Sequence, residues 1–145
     1  MDWNTEITMT VRVIIAAVMG ASIGWERAAH GHEAGIRTNA TVALGACTFG
    51  LISLYVDGGS DPTRIAAQVV TGVGFLGAGV ILRDRGRITG LTTAATLWAT
   101  AAVGLAVAYG MYILGLVSTA IILLLLSMRR FLPSLKDSAR SFDSD

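Results

Sequence analysis

Apolar residues fall into five runs separated by short polar stretches, and the run from Asp61 to Leu82, DPTRIAAQVVTGVGFLGAGVIL, is the most informative of them. Asp61 can accept hydrogen bonds from the free N–H groups that open a helix, and Pro62 is pre-set for the first helical position. Pro62 to Leu82 is 21 residues, about 31 Å at the helical rise of 1.5 Å per residue, which matches the hydrocarbon core of a bilayer. Gly72, Gly74, Gly77 and Gly79, with Ala66, Ala67 and Ala78, replace the Leu, Ile and Val of a lipid-facing helix. Small residues let helices approach closely, so this span is expected inside a bundle and as its organising element. At 100° per residue Arg64, Gln68 and Thr71 share one side of its outer half. Such a stripe reads as the lining of a solute path or as interhelical hydrogen bonding with an interfacial arginine.

The other runs give spans over Ile7 to Trp25, Thr38 to Val56, Leu91 to Ala108 and Met111 to Ser127. In the first, Ala16, Gly20 and Gly24 recur at i+4 as a close-packing face. Arg12 lies a turn or two inside that span, where interfacial anchoring is expected, with Asp57 or Asp61 as alternative partners. Asp2 and Glu6 precede it where a secretory signal would place positive charge, so the span is expected to be retained. In the second, Thr41, Gly45, Thr48 and Ile52 form a small or polar stripe. In the fourth, Thr89, Thr93, Thr96 and Thr100 share a face that either passes a solute or back-bonds to its own helix. The IILLLL run makes the fifth the most lipid-like, and Arg129, Arg130 and Pro133 end it. The fold class expected is all-α, a polytopic bundle of five transmembrane helices. Residues 1–128 form the membrane domain and residues 129–145 a short cytoplasmic tail.

The connections are polar: WERAAHGHEAGIR carries Glu26, Arg27, Glu33 and Arg37, DGGSD is acidic, and RDRGRITG places Arg83, Arg85 and Arg87 within five positions. A run of arginines can bind nucleic acid or phospholipid, but a membrane flank requires neither, and no nucleic-acid partner is inferred. Nine of the eleven Lys and Arg residues fall on one side of the five-span arrangement, from Arg27 to Arg140. The positive-inside rule then puts the N-terminus outside and the C-terminus in the cytoplasm.

Composition excludes several classes. With 53% hydrophobic and 14% charged residues in 145, the chain is too apolar for a soluble domain of this size. The single Cys47 rules out an intramolecular disulfide, and His30 and His32 in one short loop do not specify a metal site, so no metal and no cofactor are expected. Gly72-x-Gly74-x-x-Gly77 spells the dinucleotide fingerprint, but its flanks are membrane-like and no acid lies between Asp84 and Asp137. No paired acid and base or activated nucleophile marks an enzyme.

Four separated motifs, GWER at Gly24 to Arg27, AGIRTNATVALGA at Ala34 to Ala46, DPTRIAAQVVTGVGFLGAGVI at Asp61 to Ile81 and GLTTAATLW at Gly90 to Trp98, resemble the MgtC/SapB family of bacterial inner-membrane proteins over nearly the whole chain. The resemblance implies a multi-pass inner-membrane domain linked to adaptation to low magnesium and, in pathogens, to survival in macrophages. In one branch it also implies restraint of the F-type ATP synthase. Glu26, Arg37 and Asn39 on the cytoplasmic side match the family motifs, as do Asp61, Arg64, Gln68, Thr92 and Thr93. The virulence branch adds a C-terminal cytoplasmic domain where this sequence stops at Asp145, and it can carry asparagine at the position of Thr92. The functions in view are a regulatory or interaction module acting on another membrane protein, and a small cation or solute transporter. In the second, Asp61, Arg64, Gln68 and Thr71 would form a vestibule facing Thr93, Thr96 and Thr100. The small-residue faces Gly72, Gly74, Gly77 and Gly79 also suit a homo-oligomer in the lipid bilayer.

Overall fold

The computed structural model describes residues 2–56, 64–84 and 87–128, which form five helices and one short hairpin. The expected tail 129–145, the N-cap Asp61 and the charged positions Asp57, Arg85, Arg129 and Arg130 lie outside the described residues. Helix α1 runs Trp3–Ala29, α2 Ile36–Val56, α3 Arg64–Val80, α4 Leu91–Ala108 and α5 Tyr112–Ser127. Helices α1, α2 and α4 are long and apolar enough to cross a membrane, and α3 and α5 are shorter apolar helices.

Glycine closes two of these helices. After α1, Gly31 takes φ +70°, its N–H donates to the Ala28 carbonyl, and the His32 N–H donates to the Arg27 carbonyl. The same double closure recurs after α4, with Gly110 at φ +74° bonded to Val107 and Met111 bonded to Ala106. A left-handed residue at this position satisfies the last carbonyls, and glycine adopts it without a Cβ penalty. Gly110 therefore fixes the sharp reversal that lays α5 back along α4.

Helix α4 packs against all four other helices. Ten of its residues are buried, among them Thr93, Thr96, Leu97, Thr100, Gly104 and Val107. This corrects the expectation that the Asp61–Leu82 stretch organises the chain. Helix α3 buries only Ala66, Val73 and Gly77 and lies at the edge of the bundle, against α2 and α4. Small residues mark a face for close approach without specifying whether the approaching helix belongs to the same chain.

Helix α1 meets α2 along the anticipated register, with Ala16, Gly20 and Gly24 all buried. A Cβ on Gly20 would lie 2.5 Å from the Asn39 carbonyl oxygen and 2.7 Å from the Ala43 Cβ, so the two backbones touch. Ala16, Cys47, Leu51, Val107 and Ala108 form one core cluster where α1, α2 and α4 converge, and Ala46, Val73 and Ala101 form a second between α2, α3 and α4. The buried face of α2 is Asn39, Ala43, Ala46, Cys47, Gly50, Leu51 and Ser53, not the stripe of Thr41, Gly45, Thr48 and Ile52. Thr48 instead back-bonds to the Leu44 carbonyl at 2.9 Å.

Between α3 and α4 the arginine-rich connection forms a two-stranded antiparallel hairpin, Leu82–Asp84 with Arg87–Thr89, in the register Leu82↔Thr89 and Arg83↔Ile88. Helix α5 exposes Ile113, Leu114, Leu116, Leu124 and Leu125 and buries only Gly115 and Thr119, in keeping with its lipid-like sequence.

Candidate functional site

The threonines of α4 are tied to the two helices on its inner side. Arg27, 3% exposed, donates from Nη2 to Thr93 Oγ1 at 2.9 Å, linking α1 to the first turn of α4. Thr100 donates to Oδ1 of Asn39 at 3.0 Å, and the Asn39 amide nitrogen donates to the carbonyls of Ala34 at 2.7 Å and Gly35 at 3.1 Å. Buried polar groups are tolerated when each finds a partner, and this set also pins the entry into α2. Thr96 back-bonds to the Thr92 carbonyl at 2.7 Å, and Thr92 itself is exposed.

Arg37 is exposed near the start of α2. Glu26 is largely buried: its Oε1 lies 3.1 Å from His30 Nδ1, and its Oε2 is buried with no hydrogen-bond partner among the described residues. At the opposite end of the bundle, Arg12 donates from Nη1 to the Ala108 carbonyl at 2.8 Å and from Nε to the Tyr112 hydroxyl at 3.0 Å. Arg12 therefore caps the C-terminal end of α4, where a cation is favoured by the helix dipole.

The polar stripe of α3 lies elsewhere. Arg64, Gln68 and Thr71 are exposed, and Thr71 makes only a long bond of 3.5 Å to the Ala67 carbonyl. Phe75 beside them is 80% exposed. A Cβ at Gly72, Gly74 or Gly79 would meet nothing within 4 Å, whereas one at Gly77 would touch Ala94 at 3.5 Å. The stripe and the α4 threonines are thus on different sides: the threonines bond α1 and α2, and the stripe faces outward. Asp61 lies outside the described residues.

Two hollows accompany these groups. A groove of about 390 Å³ separates α2 from α3 and is lined by Thr41, Gly45, Phe49, Gln68, Gly72 and Leu76. A polar cavity of about 240 Å³ lies at the start of α4, bounded by Gly31, His32, Glu33, Thr89, Gly90 and Thr93. Among the described residues no group of three or more His, Cys, Asp or Glu is placed to hold a metal ion.

Arg27 was legible as part of GWER but not as a buried anchor. The signal was its register, since Gly20, Gly24 and Arg27 follow the i, i+4, i+7 spacing of one helix face.

The family model described as MgtC family matches residues 13–135. "Putative magnesium transporter YhiD" of Escherichia coli (strain K12) is 46% identical over 126 residues, covering 81% of this chain and 59% of the relative. "Protein MgtC" of Brucella abortus (strain 2308) is 48% identical over 108 residues, covering 74% of this chain and 45% of the relative. "Protein MgtC" of Salmonella typhimurium (strain 14028s / SGSC 2262) is 48% identical over 113 residues, covering 78% and 48%. The chain spans about half the length of these curated relatives. No solved structure matches it. With the family model covering most of its length, the chain belongs to the MgtC family.

Proposed function

We propose that the protein is a multi-pass regulatory or interaction module of the bacterial inner membrane, serving magnesium or envelope-stress adaptation by docking on another membrane protein. The observation that carries this reading is the outward face of α3. Gly72, Gly74 and Gly79 meet nothing within 4 Å, and Gln68 and Thr71 are exposed beside them. In a bilayer, small residues supply close approach and exposed amides and hydroxyls supply interhelical hydrogen bonds, so such a face gains more from a helix than from lipid. The F-type ATP synthase is the partner that the family resemblance suggests, and a second copy of the chain is another occupant of the same face. The orientation that goes with this reading has the N-terminus outside and the basic hairpin in the cytoplasm.

Transport of a cation is the second reading. It is favoured by the E. coli relative, which is described as a magnesium transporter, and Arg64, Gln68 and Thr71 would then line a path completed by oligomerisation.

A photo-crosslinking side chain placed at Gly74 in native membranes tests the docking reading, with the exposed α1 position Ile14 as control. A discrete protein adduct from position 74 and none from position 14 is expected. Lipid adducts alone at both positions would overturn it.

A further inference from the structure

We propose that the hairpin formed by Leu82–Asp84 and Arg87–Thr89 is an interfacial anchor for anionic phospholipid, laying the cross-strand pair Arg83 and Ile88 on the bilayer surface. This role is separate from the docking of α3 and does not rest on it.

The hairpin stands at one end of a membrane span. Thr89 is two residues before Leu91, where α4 begins, and α4 is long and apolar enough to cross a membrane. The bond from Arg27 to Thr93 ties the end of α1 to the same level, and there Trp25 is 69% exposed. Tryptophan concentrates at the headgroup level of a bilayer, so the hairpin lies at that level too.

The strand register sorts the hairpin into two faces. Leu82 pairs with Thr89, and both line the small cavity that also holds His32 and Glu33 of the α1–α2 connection. Successive pairs alternate in direction, so Arg83 and Ile88 point away from that cavity and Asp84 with Arg87 returns to its side. The acidic positions Glu33 and Asp84 are thus both assigned to the cavity side. The outward face is a guanidinium beside an aliphatic side chain, and both residues are exposed.

A face of this kind needs a surface. A two-stranded hairpin on its own is marginal in water, and here Leu82 and Ile88 are each 57% exposed. An added strand from another chain is a poor occupant, because each edge is three residues long and carries an arginine. A bilayer interface supplies what both groups need: Ile88 enters the acyl boundary while the Arg83 stem lies along it with its charge among the headgroups. That charge makes an anionic headgroup the complementary one.

The test uses the full chain in a Cys47→Ala background, with a nitroxide on Ile88→Cys, held one copy per nanodisc. The discs contain phosphatidylcholine with increasing phosphatidylglycerol, and collision of the label with oxygen is compared with collision with a neutral, water-soluble nickel chelate. Phosphatidylglycerol should raise oxygen contact and lower chelate contact, and added salt should reverse the change. At fixed phosphatidylglycerol, Arg83→Gln should lower the ratio of inserted to exposed label about fivefold, the usual effect of one cation near an anionic surface. Arg83→Lys should restore it, and Arg87→Gln, on the cavity side, should change it far less.

A label that stays open to the chelate at every phosphatidylglycerol content, or that is inserted equally in pure phosphatidylcholine, overturns the proposal. An effect of Arg83→Gln no larger than that of Arg87→Gln does the same, and insertion seen only in discs holding two copies assigns the face to a second chain instead. Should the label itself disrupt the hairpin, native mass spectrometry of the unlabelled chain from a maltoside detergent decides. Preferential retention of phosphatidylglycerol over phosphatidylcholine, reduced by Arg83→Gln, supports the anchor, and equal retention contradicts it.

Discussion

Thr100 Oγ1 donates to Asn39 Oδ1 at 3.0 Å, and both residues are fully buried, so the central helix and the start of α2 are joined by a hydrogen bond shielded from water and lipid alike. The two partners are not equivalent. Asn39 also donates to the carbonyls of Ala34 and Gly35, whereas among the described residues the Thr100 side chain makes this one bond. Asn39→Ala is expected to destabilise by about 2 kcal/mol or more, because several buried groups lose a partner at once. Thr100→Val should cost about 0.6–1.5 kcal/mol, the usual range for an interhelical bond in a membrane. Unfolding in mixed micelles measures both, and equal losses would contradict the assigned roles.

Glycines divide into two classes by what surrounds them. Gly20 abuts the α2 backbone, so Gly20→Ala is expected to lose about 1–3 kcal/mol through overpacking. Gly72→Ala and Gly74→Ala add a methyl group to open space and gain helix propensity of up to about 1 kcal/mol. The same unfolding titration compares them. Comparable destabilisation at Gly74 and Gly20 would mean that α3 packs within the fold.

Arg12 binds the end of α4 through the Ala108 carbonyl and binds α5 through Tyr112, whose ring centroid lies 5.9 Å from the guanidinium carbon. Arg12→Leu should destabilise by about 1–2 kcal/mol through loss of a charge-assisted cap. A double-mutant cycle with Tyr112→Phe should give a coupling of about 0.5–1 kcal/mol. Additive losses would show that the Arg12–Tyr112 contact is idle.

The proposed orientation rests on the arginine distribution and is checked by labelling. In a Cys47→Ala background, Ser60→Cys should react with an impermeant reagent applied outside intact cells, and Gly86→Cys should not. The reverse pattern would invert the proposed orientation.

Much of this fold is legible in the residues. The limits of α4, Leu91–Ala108, coincide with the expected span because Gly90 and Gly110 stand at its two ends. The α1 face through Ala16, Gly20 and Gly24 was equally clear, since glycine at i+4 has few other uses in an apolar helix. In α2 small residues lie on every side, so no side stands out, and the expected stripe through Thr41 and Gly45 was the wrong one. The placement of α3 failed for a related reason: Gly72 and Gly77 look alike in sequence, yet one is open and the other packs on Ala94. The hairpin escaped notice because three-residue strands carry too short an alternation to register. Of the candidate site, Thr93 and Asn39 stood out in the sequence as polar residues within apolar runs, but their pairing with Arg27 and Thr100 emerged only from the packing of α1, α2 and α4.

The claim that the outward face of α3 serves docking and not conduction is tested most directly by ion flux. The purified protein in proteoliposomes would be assayed for magnesium, potassium and proton movement under an imposed potential, beside Arg64→Ala and Gln68→Ala. The account predicts no saturable flux from folded wild-type protein. Saturable flux that both substitutions abolish would contradict it and make the polar stripe of α3 a path.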